Sequence, residues 1–245
     1  VSVAPQAIIK AMRLAQITSG FLGGLQDAEV DQDVLEAPDA RPDWIPGDLL
    51  EDASAMKLMG NSRETVEAIG REKLDVFLGW LEDRFREDSN FKLLAWCRFR
   101  PELKRALEEL PKTFPKLTVG AIWGSQKRHE RAAALRMLDP RTAPKGPVVV
   151  MGTTRTGSMG LNLTATSNVV YLSNDYSLFY RKQSEDRVHR PGQLFPVNYY
   201  DLIAVGPNGQ KTIDVTVLKA LREKDNVATW TTAAWKTALH EDNEQ

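Results

Sequence analysis

Five apolar runs, most of them separated by stretches of helical periodicity, leave few architectures open to this chain. The runs are Phe91 to Cys97, Thr118 to Trp123, Val148 to Met151, Val169 to Leu172 and Val197 to Leu202. They are too short to be helices of the usual length and do not alternate apolar with polar, so each reads as a strand buried on both faces. Pro101 to Leu110, Gln126 to Leu138 and Phe179 to His189 read as the intervening helices. Strand and helix in alternation predict an α/β fold: a parallel sheet with helices on both faces.

The flanks differ from this middle. Ala7 to Thr18 carries Ile8, Met12 and Ala15 on one face and is expected to be a helix stopped by Gly20. From Gly23 to Asn61 the composition turns to Asp, Glu, Pro and Gly, with Pro38, Pro42 and Pro46 excluding a long helix, so an extended acidic loop is expected there. A long helix is predicted from an N-cap at Ser62 to Asp88, with Val66, Ile69, Leu74, Phe77, Leu78, Leu81 and Phe85 as its apolar stripe and Gly70 as its weak point. Thr212 to Glu223 and Val227 to Leu239 read as helices packing back on the sheet. The division expected is an amino-terminal extension over 1–90, a lobe over 91–205 and attached helices over 206–245.

Charge is unevenly spread. The whole chain has a formal net charge of −1, yet residues 92–145 carry 13 basic and 5 acidic side chains while residues 1–91 carry 9 and 18. Clustered cations of this kind are the footprint of a polyanion-binding face, and a solvated helical surface is the alternative. No run reaches the length of a membrane span and no secretory leader is recognisable, so a soluble protein acting inside the cell is expected. Cys97, alone in an apolar strand, is expected to be a buried structural thiol. His129, His189 and His240 are too dispersed for a zinc site. Position one is Val, which leaves open an excised piece of a longer protein and a chain lacking its start.

Two segments carry chemistry. Gln183 to Gln193 reads Q-S-E-D-R-V-H-R-P-G-Q and sets Arg187 and Arg190 three apart, on one face if both are helical. Two permanently charged guanidiniums side by side suit a phosphate chain; pairing with Glu185 and Asp186 on a solvated face is the plainer alternative. Val148 to Thr164 reads V-V-V-M-G-T-T-R-T-G-S-M-G-L-N-L-T, a buried strand running into a loop of glycines and hydroxyls. Small residues at the carboxyl end of such a strand are where open α/β sheets take ligands, although glycines that only shape a turn would look the same. The chain contains neither a Walker A lysine nor a D-E-x-H motif.

In this order the two segments resemble motifs V and VI of the Swi/Snf-type ATPases of helicase superfamily two. Gly157 to Ala165 echoes G-x-G-L-N-L-T-A with one extra residue between the glycines, and Q-x-x-D-R-x-H-R-x-G-Q is complete at Gln183 to Gln193. Lys92 to Arg100 is similar to motif IV, and Gly120 to Arg131 resembles the strand, turn and helix that follow it. The likeness covers about residues 91 to 205; it departs at Tyr176-Ser177-Leu178, where the family has Trp-Asn-Pro, and at Pro191.

The resemblance implies the second, carboxyl-terminal RecA-like lobe of an ATP-dependent DNA helicase or translocase. ATP would be clamped against a first RecA-like lobe outside this sequence, which would also hold most of the Mg²⁺. Carried over residue by residue, Arg190 becomes the arginine finger and Arg187 its partner at the γ-phosphate, with Gln183, Gly157 and Gly160 lining the nucleotide cleft. Arg98, Ser125, Lys127, Thr154, Arg155 and Thr164 become sequence-independent contacts to the DNA backbone. The absence of long insertions and basic tails suggests a bacterial or viral source acting in the cytoplasm, or the nucleus if eukaryotic. The rival readings are a non-catalytic nucleic-acid-binding or partner-docking module that kept the fold, and a small-molecule nucleotide enzyme of doubly wound type. A G-x-G-K-T loop some 200 residues upstream would favour the motor.

Overall fold

The computed structural model of the protein describes residues 4–23, 66–124, 126–139, 141–157, 163–164, 166–191, 193 and 195–226. Five strands form one parallel sheet: β3 (Lys92–Cys97), β4 (Thr118–Ile122), β5 (Val148–Thr153), β6 (Asn168–Tyr171) and β7 (Asn198–Asp201), in the spatial order β4-β5-β3-β6-β7. Each expected strand is present within a residue or two. Apart from Lys92 at its start, β3 is buried, as is every residue of β5, which is why neither sequence alternates. Strand periodicity sorts their side chains to two cores. Leu93, Ala95 and Cys97 join Val149 and Met151 on one face, and Leu94 and Trp96 join Val148 and Val150 on the other.

Helices cover both faces. On the first lie α2 (Glu72–Glu87), through Leu74, Phe77, Leu78 and Leu81, and α3 (Arg100–Thr113), through Leu103, Ala106 and Leu110. The second face is closed by α4 (Arg128–Arg136) and α6 (Leu178–Val188), which contribute Ala134 and Val188, together with Leu138 just past α4. Each of the Leu, Phe and Val side chains among these stabilises the fold by roughly 1.5–3 kcal/mol on burial. Between β5 and β6 a single helical turn, α5 (Thr154–Gly157), packs against α6. Gly152 is required by packing: a Cβ there would stand 2.7 Å from both the Trp96 ring and the Ile122 carbonyl oxygen.

The amino-terminal helix α1 (Ala4–Thr18) ends at Gly20, whose φ of +82° is open to glycine at little cost. There the structure corrects one expectation. No single helix runs from 62 to 88: residues 67 and 68 form β2 (Glu67–Ala68), antiparallel to β1 (Phe21–Leu22), and α2 begins only at Glu72. Val66 and Ile69, assigned to the buried stripe, are 42% and 47% exposed. The backbone N–H groups of Ile69 and Gly70 donate to the Gly20 carbonyl, and the Arg105 guanidinium donates to the Gly20 and Gly70 carbonyls. Those bonds replace the helical ones, so the weak point at Gly70 is a complete break. A helix over 213–226, somewhat longer than expected, sets Ile213 against Ala15, Phe21 and Phe99. Ser62, the acidic stretch beyond Gly23 and the helix expected over 227–239 lie outside the described residues.

Candidate functional site

The five parallel strands all end at one edge of the sheet, and the connections after β3 and β6 leave in opposite directions along it. A crevice outside the strand ends at such a reversal is where open α/β sheets bind ligands. Three charged residues meet there. Arg98 follows β3, Arg155 lies in α5 after β5, and Asp175 follows β6; the Asp175 carboxylate stands 3.8 Å from Arg98 and 3.7 Å from Arg155. Burial pushes the Asp175 carboxyl up, but the two guanidiniums and the backbone N–H groups of Ser177 and Tyr176 outweigh it, holding the group below the usual carboxylate range. Arg98 lies over the rings of Phe99 and Tyr176, and Arg155 over that of Tyr180. Two of the expected backbone contacts are thereby brought together, by an aspartate that the sequence reading did not single out.

The same edge is fixed from behind by buried polar groups. The Arg98 N–H donates to the Ser173 hydroxyl at 2.7 Å, and that hydroxyl donates to the Glu102 carboxylate of α3. Burial raises the Glu102 carboxyl to about 7, against the lowering influence of Lys73 and Ser173 and with a further upward push from Asp214. Lys73 in turn forms a 2.6 Å ion pair with Asp214, which also accepts from the Thr18 hydroxyl at 2.8 Å and the Ala204 N–H at 2.9 Å. This network runs from α1 and the 213–226 helix to the strand ends.

Helix α6 carries the second group of candidates. Ser177 caps it by accepting from the Tyr180 N–H, and Asp175 in turn accepts from the Ser177 N–H. The helix closes at Val188, so Arg187 occupies its last turn while Arg190 lies beyond it. The expected shared helical face is therefore not formed by both arginines. The Pro191 stop acts a turn early, and Arg190 is held through its Nε by the Asp186 carbonyl at 3.0 Å. Glu185 pairs instead with Arg181 at 2.6 Å. Gln183 is partly buried on the same helix.

The segment leaving the glycine loop is tied to this helix end. The Leu163 N–H donates to the Arg187 carbonyl at 3.1 Å, and the Gln193 amide donates to the Thr166 carbonyl at 2.8 Å. Thr164 lies between these two ties. Gly157 ends α5, while Gly160 and Ser125 fall outside the described residues. Thr154 is buried, its hydroxyl without a hydrogen-bond partner among the described residues, and Thr153 and Thr156 bond to each other at 2.8 Å. Lys127 is exposed at the start of α4, two strand positions from Arg98, its backbone N–H donating to Glu130.

Arg181 is the other residue the sequence reading passed over. Its guanidinium reaches Asp201 on β7 at 2.6 Å, Asn174 at 2.8 Å and Glu185, and lies 3.6 Å from the centre of the Tyr171 ring. Its i, i+4 spacing to Glu185 was a visible signal; its contact with β7 was not. Among the described residues no group of three or more His, Cys, Asp or Glu could hold a metal ion, and no helix is long and apolar enough to cross a membrane.

Residues 72–192 match the model of the helicase conserved C-terminal domain. The DNA repair protein rad5 of Aspergillus fumigatus is 38% identical over 88 residues, covering 36% of this chain and 7% of that protein. A Drosophila melanogaster homologue of the SWI/SNF-related matrix-associated actin-dependent regulator of chromatin subfamily A containing DEAD/H box 1 is 37% identical over 93 residues, covering 38% of this chain and 10% of its own. This chain thus spans about a tenth or less of the length of these relatives. Among solved structures, the C-terminal part of the Fun30 ATPase domain superposes with a TM-score of 0.51 at 18% identity, over 86% of this chain and 64% of that one. At that identity the likeness is one of fold: the five-stranded parallel sheet with helices on both faces has the RecA-like fold.

Proposed function

We propose that this chain, whose residues 72–192 form a helicase conserved C-terminal domain with Swi/Snf-type relatives, is the second motor lobe of an ATP-dependent DNA helicase or translocase. The observation that carries the reading is the bonding of the glycine-loop exit to the end of α6, Leu163 to Arg187 and Gln193 to Thr166. Residues suited to nucleotide and residues suited to a nucleic-acid backbone then belong to one rigid edge, and closure against a first lobe would move both together.

In this reading Arg190 is the arginine finger and Arg187 its neighbour at the γ-phosphate, with Gln183, Gly157 and the segment at Gly160 lining the cleft. ATP supplies the phosphoryl group and the free energy; the chain supplies positive charge where negative charge develops. Arg190 suits the role because its position beyond the helix is set by one bond to a backbone carbonyl and it is incompletely buried. Mg²⁺ would be held mainly by the first lobe. The DNA backbone would be met by Arg98, Ser125, Lys127, Arg155 and Thr164, with Thr154, which is buried, close behind Arg155. Such contacts position the strand without reading its bases.

The test is Arg190→Ala in the full-length protein. DNA-stimulated ATP hydrolysis is expected to be abolished while DNA affinity stays close to that of the parent; retained turnover would refute the finger assignment. The 245-residue chain alone is expected to show no ATPase activity.

A further inference from the structure

Glu102, buried in the first turn of α3, takes no part in the roles proposed above, yet it stands two hydrogen bonds from a residue that does. Its carboxylate accepts from the Ser173 hydroxyl, and that hydroxyl accepts from the Arg98 N–H. Lys73 of α2, Asp214 of the 213–226 helix and Glu102 share this interior, and their charges do not balance. Lys73 and Asp214 neutralise each other in their 2.6 Å pair, so the ammonium acts on Glu102 only through space. Arg71 and Arg105 line the same small cavity as Lys73 and Glu102, but Arg71 pairs with Asp75 and Glu109, and Arg105 donates to the Gly20 and Gly70 carbonyls. From β3 the Cys97 thiol faces Glu102, and burial keeps that thiol neutral. Glu102 itself forms no ion pair among the described residues. Ionised, it leaves one uncompensated negative charge in the interior; neutral, it leaves none. The carboxyl accordingly titrates at about 7.

Resting on the nucleic-acid reading above, we infer that Glu102 is a proton-linked control on the grip of Arg98: a nucleic-acid backbone is held best with Glu102 neutral and is released more readily once Glu102 ionises. The interior charge lies directly behind Arg98, joined to its main chain through Ser173. An anion there offsets the potential that Arg98 presents to a phosphate, and little water intervenes to screen it. Phosphate on one side and proton on the other therefore favour each other. The sign follows from the raised carboxyl: below about 7 the acid is neutral and the grip is full, and affinity falls as pH rises past that value.

The experiment measures binding of the full-length protein to a fluorescent single-stranded oligonucleotide without a terminal phosphate, at pH 6 and pH 9 and constant ionic strength. The parent is expected to weaken about fivefold between the two, a modest coupling between separate groups. Glu102→Gln, neutral at every pH, should keep close to the tighter value at both. Asp214→Asn should do the opposite: it leaves the Lys73 ammonium to Glu102, which then ionises at lower pH, so binding should already be weak at pH 6. Histidines change charge in the same interval, but they are common to parent and variants, so the difference between them reports on Glu102. Glu102→Gln retaining the parent's full pH dependence overturns the inference. So does Asp214→Asn with the parent's pH dependence, a result that needs no Glu102 variant to fold. In both cases DNA binding itself, and with it the nucleic-acid reading, stands. Failure of the parent to bind the oligonucleotide at either pH overturns that reading and this inference with it.

Discussion

Arg181 and Arg190, nine positions apart, one within α6 and one beyond its end, are held in opposite ways. Arg181 is enclosed by Asp201, Glu185, Asn174 and the face of Tyr171, with its side chain 12% exposed. Arg190 stands past the end of α6, tied by one bond to the Asp186 carbonyl. A guanidinium whose donors are already taken fixes architecture; one kept in place by a main-chain atom can still meet a ligand. The difference places Arg181 as the tie that joins α6 with β6 and β7, and it suits Arg190 to the finger role proposed above.

The largest effect expected from this contrast is on rate. Arg190→Ala in the full-length protein should lower DNA-stimulated turnover by about 10³ to 10⁵, with unchanged hydrogen-exchange protection of β6 and β7. Arg181→Met should do the reverse. It leaves the Asp201 carboxylate, 16% exposed, without its cation, and local stability should fall by roughly 3–5 kcal/mol, read as lost amide protection in β6 and β7. Equal loss of protection in both variants would erase the distinction.

A smaller effect concerns Glu102. Its carboxyl is raised from 4.5 to about 7, so the folded state holds a proton that the unfolded chain has released. Stability should therefore fall as pH rises from about 4.5 to 7, by roughly 3 kcal/mol in all, and level off above that. Urea midpoints of the parent and of Glu102→Gln at pH 5 and pH 8 check this: the substitution should flatten the difference. The smallest effect is at Lys127, where replacement by alanine should lower the salt slope for single-stranded DNA by about 0.7 and leave turnover at saturating DNA unchanged.

The sheet was readable in the sequence because both its faces are covered. Continuous apolar runs such as Val148 to Met151 have no other good explanation. The helix over 62–88 was misread because Val66 and Ile69 fall in phase with the true stripe of α2; only the partners of Gly20 and Gly70 reveal the break. At the site, the motif residues on β5 and α6 were visible as types and spacings. Asp175 and the role of Arg181 were not, since parallel crossovers bring together Arg98 with Asp175 and Arg181 with Asp201, residues distant in sequence. Periodicity describes one element at a time and says nothing about which strand ends adjoin. The same limit concealed Glu102, whose significance comes from Lys73 and Ser173.

The chain of contacts from Thr18 through Asp214 and Lys73 toward Glu102 bears on how this lobe could be shortened. Cutting the gene back to the sheet, from residue 91 to 205, would discard Lys73 and Asp214 together and leave an acid in the interior with no counter-ion. The flanking helices therefore insulate the lobe electrically, and a minimal version of it has to begin before α1 ends and finish after the 213–226 helix.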